Sequence, residues 1–370
     1  MNIQSVKLSV IKMPLKKPFY THLETIKERE SIIVEVHGHD GFEGYGEGVA
    51  FSSPWYTEET VKTSYHLLKD FLIPLIQRFS IKHPSEAFSL FSAFRRNHMA
   101  KAALEMALWD LQAKREGKPL SQLLGGGTKK IPSGVVIATS SLKEAITQIE
   151  AYLEKGYRRV KIKISPDNDL KFVSELRKRF PTLDLMADAN SAYTVDDIDR
   201  LKALDEYGLL MIEQPLGNDD IIEHALVQKQ LKTPICLDES IVSFEDAKKA
   251  IELGSCRVIN IKIGRVGGIG QAIKIHDFCN TNKVPVWCGG MIEYGISRAH
   301  NIALASLPGF TIPGDISASN RYWEEDIITP EIKVEHGEIH LPSNPGIGVN
   351  LNRKRLKEVT CSQELFSFHK

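Results

Sequence analysis

From residue 128 onward, short apolar runs alternate with longer stretches in which apolar residues recur every three or four positions. The runs have the length and branched residues of buried strands, the stretches have the period of amphipathic helices, and their alternation is the pattern of parallel βαβ units. Strands are predicted over 131–138, 159–164, 183–187, 210–213, 234–237, 258–261, 284–287 and 310–312, and helices over 141–155, 169–180, 195–205, 221–230, 243–252 and 268–282. Eight parallel strands with crossover helices favour an α/β fold of the (β/α)8-type, TIM-like barrel over an open doubly wound sheet. The last helical stretch, 323–330, is short and polar, so a modified barrel with imperfect closure is expected.

Before residue 128 the pattern differs. Residues 6–47 read as hairpins, with Ser31-Ile32-Ile33-Val34-Glu35-Val36 followed by the glycine-rich Gly41-Phe42-Glu43-Gly44-Tyr45-Gly46-Glu47. Between the first strands, Lys16-Lys17-Pro18-Phe19-Tyr20-Thr21-His22 is polar, aromatic and broken by proline, which predicts a mobile loop or a plain connector. From 57 to 114 the spacing turns helical, and over 99–114 Ala102, Ala103, Met106, Ala107, Leu108 and Leu111 make an apolar stripe wide enough to pack on two sides. Gly117 and Pro119 stop that helix, and a short helix over 120–124 ends in Gly125-Gly126-Gly127. The expected organisation is an α+β capping domain over 1–127, a barrel over 128–330, and a strand-like tail over 331–370 that turns at His336-Gly337 and returns to the cap.

Composition narrows the function classes. The chain has 370 residues, 42% hydrophobic and 25% charged, enough for one large and one smaller domain. Its 47 Lys and Arg balance its 47 Asp and Glu, so no global field recruits nucleic acid or an anionic membrane. The first residues lack a signal-peptide apolar region, and no apolar run approaches the length that spans a bilayer, so a cytoplasmic protein is expected. Cys236, Cys256, Cys279, Cys288 and Cys361 are odd in number and form no CxxC pair, which argues for reduced thiols over a zinc knuckle or a disulfide scaffold.

The chemistry gathers at strand ends. Val160-Lys161-Ile162-Lys163-Ile164 alternates lysine with branched apolar residues at the strand period, so both ammonium groups leave one face. Alone, that pattern also describes an edge strand with a solvated lysine face. Downstream, three consecutive strands end in Ala187-Asp188-Ala189-Asn190, Ile212-Glu213-Gln214-Pro215 and Leu237-Asp238-Glu239-Ser240. Asp188, Glu213 and Asp238 are spaced 25 residues apart, one βα unit each, so the three carboxylates should arrive side by side where barrel loops converge. Singly each suits a helix cap or a surface ion pair; together they repel unless a cation holds them, and hard oxygen donors suit Mg²⁺ or Mn²⁺. Strand six adds Asn260-Ile261-Lys262-Ile263-Gly264-Arg265, and in a ring of eight it stands opposite strand two. Lys163 and Lys262 would then flank the α-carbon of a carboxylate substrate, the layout for proton abstraction beside a carboxylate through an enediolate. A lysine base must first be neutral, and Lys161 one pleat below Lys163 is expected to help lower its pKa.

These motifs, with the Ala-Leu-Trp-Asp helix at 107–110 and Leu123-Leu124-Gly125-Gly126, resemble the enolase superfamily in its muconate-lactonising subgroup. The superfamily uses a Lys or His base with one or two Mg²⁺. The stretches Trp287-Cys288-Gly289-Gly290-Met291-Ile292-Glu293-Tyr294 and Pro313-Gly314-Asp315-Ile316-Ser317 are similar to the branch shared by o-succinylbenzoate synthases of menaquinone biosynthesis and N-succinylamino acid (N-acylamino acid) racemases. The resemblance spans the whole chain, with one departure, Tyr294, where a smaller Thr is common. It implies Asp188, Glu213 and Asp238 as Mg²⁺ ligands, Lys163 as base and Lys262 opposite it. It implies Asn190 and Glu239 beside the metal, Phe19 and Tyr20 in a lid, and Gly290, Met291, Tyr294 and Ser317 at the substrate. Arg265 either tunes Lys262, binds a carboxylate or makes a structural ion pair. A small-molecule carboxylate substrate and a homo-oligomer follow as expectations. Two other classes compete: a Schiff-base aldolase using Lys262, which leaves the carboxylates unexplained, and a non-catalytic binding protein, which explains neither lysine.

Overall fold

The structure is a computed structural model that describes residues 1–21 and 23–368. Within it, seven short parallel strands follow one another around a barrel in chain order: Val135–Ile137, Arg159–Lys163, Asp184–Asp188, Ile212–Glu213, Ile235–Leu237, Val258–Ile261 and Val286–Cys288. Their branched apolar residues are buried, Val160, Ile162, Ile212, Ile235, Ile259 and Ile261 all with no exposed surface, because helices cover the outside and side chains fill the middle. Asp188 pairs with Glu213 in register, as equal spacing predicts, whereas Glu213 pairs with Cys236, so Asp238 stands two residues further along its strand end than equal spacing predicts.

The eighth expected strand, 310–312, is not regular. Phe310 makes a single parallel bridge to Val286 and Gly314 one to Ser133. The segment instead closes the ring through hydrogen bonds at a few points, with the Gly134 N–H donating to the Gly314 carbonyl at 2.7 Å and the Ser133 hydroxyl donating to the Ile316 carbonyl at 2.7 Å. Pro313, which has no N–H to give, interrupts any ladder there. The polar stretch 323–330 likewise forms no helix, in agreement with imperfect closure.

Other expectations are corrected in detail. The predicted strand 131–138 is two: Lys130–Pro132 pairs antiparallel with Glu338–His340, and Val135–Ile137 begins the barrel. The helix Gly295–Ala305 is absent from the expected elements; its polar residues Ser297, Arg298, His300 and Asn301 are buried together with its apolar ones, so no solvent-facing side marks it as a helix. The tail divides. Residues 331–334 form no strand, Glu338–His340 stays on the barrel, Gly346 and Ile347 contact Pro119, Leu120 and Asp110 of the cap, and the strand Thr360–Ser367 pairs with the first strand of the cap.

The cap is a four-stranded sheet in the order Thr360–Ser367, Ile3–Tyr20, Thr25–Gly38, Glu43–Gly48, packed on the helix His98–Arg115. Gly44 and Gly46 permit that packing, since a Cβ on either would lie 2.0 Å from the carbonyl oxygens of Ala107 and Ala103 respectively. The stretch expected to be a loop, 16–22, is largely strand: Phe19 pairs with Ile26 and Tyr20 with Thr25, after a register break between Pro14 and Phe19 in which Pro18 sits outside the paired ladder. His22 lies outside the described residues. The result is a long hairpin whose tip reaches the mouth of the barrel.

Two buried carboxylates fasten cap to barrel. Glu47 accepts the N–H groups of Tyr294 at 2.8 Å and Ser297 at 2.9 Å, at the start of Gly295–Ala305. Glu105 accepts those of Ile269 at 2.5 Å and Gly270 at 2.9 Å, at the start of Ile269–Thr281, and the Trp109 indole N–H at 3.1 Å. Each supplies the acceptors that a helix N-terminus lacks. Glu105→Ala strands three donors in a dry interface and is expected to lower unfolding stability by about 2–4 kcal/mol in a denaturant titration.

Candidate active site

The second barrel strand presents Lys161 and Lys163 toward the barrel axis, at two depths. Lys161 is the deeper. Its Nζ lies 2.6 Å from Asp315, 2.9 Å from Glu213 and 3.2 Å from Asp188. Burial alone would lower its pKa, but the charges of Asp315, Glu213 and Asp188 outweigh burial and hold it well above the ordinary lysine range. Its charge is thus matched by carboxylates, and it acts as the centre of an ion-pair cluster in place of the free charge expected beneath Lys163. Asp315 is in turn paired with Arg159 at 2.7 Å.

Lys163 stands higher, with 22% of its side chain exposed. It donates to Asp188 at 2.7 Å and to Asn190 at 2.5 Å, and Asn190 donates to Glu239 at 3.0 Å. Lys262, just past the sixth strand, donates to Asp238 and to the Tyr56 hydroxyl, both at 2.8 Å. Here too burial works to lower the pKa, and the charge of Asp238 with the Tyr56 oxygen raises it overall, so the group is an ammonium in this state. Arg265 is buried and paired with Asp238, and it donates to the carbonyls of Ile241 at 2.8 Å and Asn260 at 2.6 Å, while its charge works to lower the pKa of Lys262. The two lysines therefore bracket the carboxylates, one attached to strand three and the other to strand five.

Asp188 and Asp238 keep low pKa values against burial because lysines and Arg265 touch them. Glu213 and Glu239 do not: burial, then the charges of Asp188 and Asp238 respectively, push them up to about 7 and about 8. Among the described residues, no three His, Cys, Asp or Glu side chains are gathered closely enough to hold a metal ion as they stand. Lys161 occupies the space between Asp188 and Glu213. The donor set still fits a hard divalent cation: carboxylates from three adjacent strand ends, mutually repelling, with the second oxygen of Glu239 buried and without a partner. Asn260 steadies Glu213 by donating to it at 2.9 Å.

A cavity opens above these groups. Phe19, Gly290, Met291 and Ser317 line it with Lys161, Lys163, Asp188, Asn190, Asp238 and Lys262. Glu213 lies beneath the floor, and Glu239 faces a neighbouring cavity behind Tyr56. Tyr20 is 55% exposed and borders an adjoining cavity with Lys163 and Asn190. Tyr294 is not at the cavity. It is fully buried, stacks on Trp323 at 4.5 Å between ring centres and donates its hydroxyl to the Arg29 carbonyl, so its place is the seam between cap and barrel.

Sequence reasoning missed Tyr56, Asp315 and Asn260 as site residues. The aromatic run Phe51-Ser52-Ser53-Pro54-Trp55-Tyr56 was the available signal for the first, but nothing in it points to Lys262, which is 206 positions away.

An α+β cap closing over a parallel barrel, with lysines facing one another across strand-end carboxylates, defines an enzyme of the enolase superfamily. The chain belongs to that superfamily: residues 144–355 match the enolase C-terminal domain-like family and residues 4–125 the mandelate racemase / muconate lactonizing enzyme N-terminal domain. It is 56% identical over 366 residues to the o-succinylbenzoate synthase of Geobacillus stearothermophilus, covering 99% of this chain and 98% of that one. It is 43% identical over 368 residues to the N-succinylamino acid racemase of Thermus thermophilus, covering 99% and 100%. A solved structure of an enolase-superfamily member from Listeria innocua superposes over the whole of both chains with a TM-score of 0.98 at 46% identity.

Proposed function

We propose that the protein catalyses the o-succinylbenzoate synthase reaction, the Mg²⁺-dependent syn dehydration of 2-succinyl-6-hydroxy-2,4-cyclohexadiene-1-carboxylate in menaquinone biosynthesis. The observation that carries this reading is the placement of Lys163 and Lys262 around one cavity with Asp188 and Asp238 between them. Lys163, as the free amine, takes the proton α to the substrate carboxylate. Now an ammonium on the same face, it gives that proton to the departing hydroxyl, so water leaves and the base is regenerated. Lys262 stays protonated and faces the negative charge that develops on the substrate. Asp188, Glu213 and Asp238 would hold Mg²⁺, or Mn²⁺ in its place. When bound, such a cation supplies electrostatic stabilisation of the carboxylate as it gains charge. The Phe19–Tyr20 end of the hairpin, closing over the mouth, keeps water away from the reacting carbon. The reading places the enzyme in the cytoplasm as a homo-oligomer; among the described residues no helix is long and apolar enough to cross a membrane.

Two opposed lysines also suit racemisation of N-succinylamino acids, one taking and the other returning a proton on the opposite face. Both reactions can share the site. Following the loss of diene absorbance with Mg²⁺ tests the dehydration. Proton exchange at the α-carbon of each N-succinylamino acid enantiomer in D₂O tests the racemase, and absence of exchange from both enantiomers removes it.

A further inference from the structure

Arg29 is fully buried in the second strand of the cap, yet among the described residues no carboxylate lies within ion-pair distance of it. Its guanidinium meets backbone carbonyls instead: Nη1 donates to Glu30 at 2.6 Å and Ala50 at 2.7 Å, and Nη2 to Val49 at 2.5 Å. Nε is buried without a partner. The planar group lies 4.3 Å from the centre of the Phe51 ring. Removing a cation from water without a counter-charge is costly, so what the group holds is informative. It holds the start of the segment that forms the cap's side of the cavity.

That segment has little backbone support of its own. Between Gly48 and the helix Val61–Leu67 it contains a single bridge, Phe51 with Thr60, and otherwise turns and bends. Its rings nevertheless form an ordered wall: Phe51 and Trp55 are 4.7 Å apart between centres, Trp55 and Tyr56 5.6 Å, and all three line the cavity. Arg29 fixes Val49, Ala50 and the face of Phe51, and through Phe51 the rings that follow. The Arg29 carbonyl, in turn, accepts the hydroxyl of Tyr294 from the barrel. The cap wall is thus tied to the barrel at both ends: at its start through Arg29 and the Tyr294 hydroxyl, and at its end through the Tyr56 hydroxyl, which meets Lys262, Arg265 and Asp238.

We propose that Arg29 is a positioning residue that sets the aromatic wall of the substrate cavity, and that the Tyr294 hydroxyl registers this wall against the barrel. The proposal rests on the reading that this cavity receives the substrate. Neither residue touches the cavity's reacting groups, and Tyr56 keeps its own contacts with Lys262, Arg265 and Asp238, so their effect falls on Phe51 and Trp55 and on the part of the substrate those rings face, away from the proton transfer. Loosening the wall weakens binding in ground and transition states alike, which raises KM and leaves kcat close to its parental value.

The test uses the full-length protein with Arg29→Met, Arg29→Lys and Tyr294→Phe. Trp109, Trp287 and Trp323 are buried while Trp55 is partly exposed, so acrylamide quenching of substrate-free protein reports mainly on Trp55. Arg29→Met is expected to increase quenching and to raise KM about tenfold, with kcat changed less than about threefold. Arg29→Lys, which keeps the charge but lacks the planar fork that spans Val49 and Ala50 and stacks on Phe51, should fall between it and the parent. Tyr294→Phe, which loses one hydroxyl, should shift quenching and KM in the same direction by less, and carries the test if Arg29→Met does not fold. Parental quenching and KM in Tyr294→Phe and in any folded Arg29 variant would overturn the proposal, as would losses in kcat with KM unchanged. If the parent turns over neither proposed substrate, the functional reading fails, whereas the quenching comparison still decides whether Arg29 holds the wall.

Discussion

Lys163→Ala lowers both dehydration and α-proton exchange by about 10³-fold or more, at the upper part of the range for loss of a general base. The expected protein is otherwise sound. Lys163 is partly exposed at the edge of the cavity, and its two partners keep other contacts: Asp188 retains Lys161, and Asn190 retains Glu239. Truncation therefore creates little buried void and strands no buried charge, so the melting temperature and the affinity for a divalent cation should stay near the parental values. The check is a pair of turnover assays beside calorimetric titration with Mg²⁺. Full activity in the variant refutes the assignment of the base. Lost activity together with lost cation binding would place Lys163 in the scaffold of the site instead.

Removing divalent cations with a chelator is the second large effect, expected to reduce turnover by about 10³-fold and to be reversed by Mg²⁺. A dependence on pH accompanies it. In the cation-free protein, burial and the neighbouring carboxylates push Glu213 up to about 7 and Glu239 up to about 8, so both take up protons as pH falls from 8 toward 6. A metal ligand must be deprotonated, so cation binding releases the Glu213 proton, the cation's charge disfavours protonation of Glu239 beside it, and the apparent affinity should fall as pH falls over the same interval. Titrations at pH 8 and pH 6 in buffers of different ionisation enthalpy measure both quantities. Affinity that does not change with pH would mean that Glu213 is ionised throughout and already balanced by Lys161.

The residues that sequence reasoning found were those set by period and topology. Lys161 and Lys163 follow from alternation within one strand, and Asp188 and Glu213 from a spacing that the parallel register converts into neighbours, with Asp238 on the next strand offset from Glu213 by two residues. Lys262 followed from the position of its strand in the ring. What escaped were groups fixed by the meeting of distant segments. Tyr56 reaches Lys262 only because the cap seats its aromatic segment on the barrel, and no local pattern encodes that seating. Asp315 enters the Lys161 cluster from a segment that is not a regular strand, so strand logic could not place it. Tyr294 was expected at the substrate because it follows a strand end, but its side chain turns to the domain seam, where its hydroxyl finds the Arg29 carbonyl and its ring finds Trp323. The expected loop at 16–22 failed for a related reason: Pro18 breaks a ladder locally, yet pairing of Phe19 and Tyr20 resumes beyond it.

The central claim is that this site dehydrates 2-succinyl-6-hydroxy-2,4-cyclohexadiene-1-carboxylate with Lys163 as base. The most direct measurement is the initial rate of diene absorbance loss with purified protein and Mg²⁺, run beside the Lys163→Ala variant at the same concentration. The account predicts rapid loss with the parent, formation of o-succinylbenzoate in equal amount, and no loss above background with the variant. An unchanged absorbance with the folded, Mg²⁺-supplied parent would contradict it.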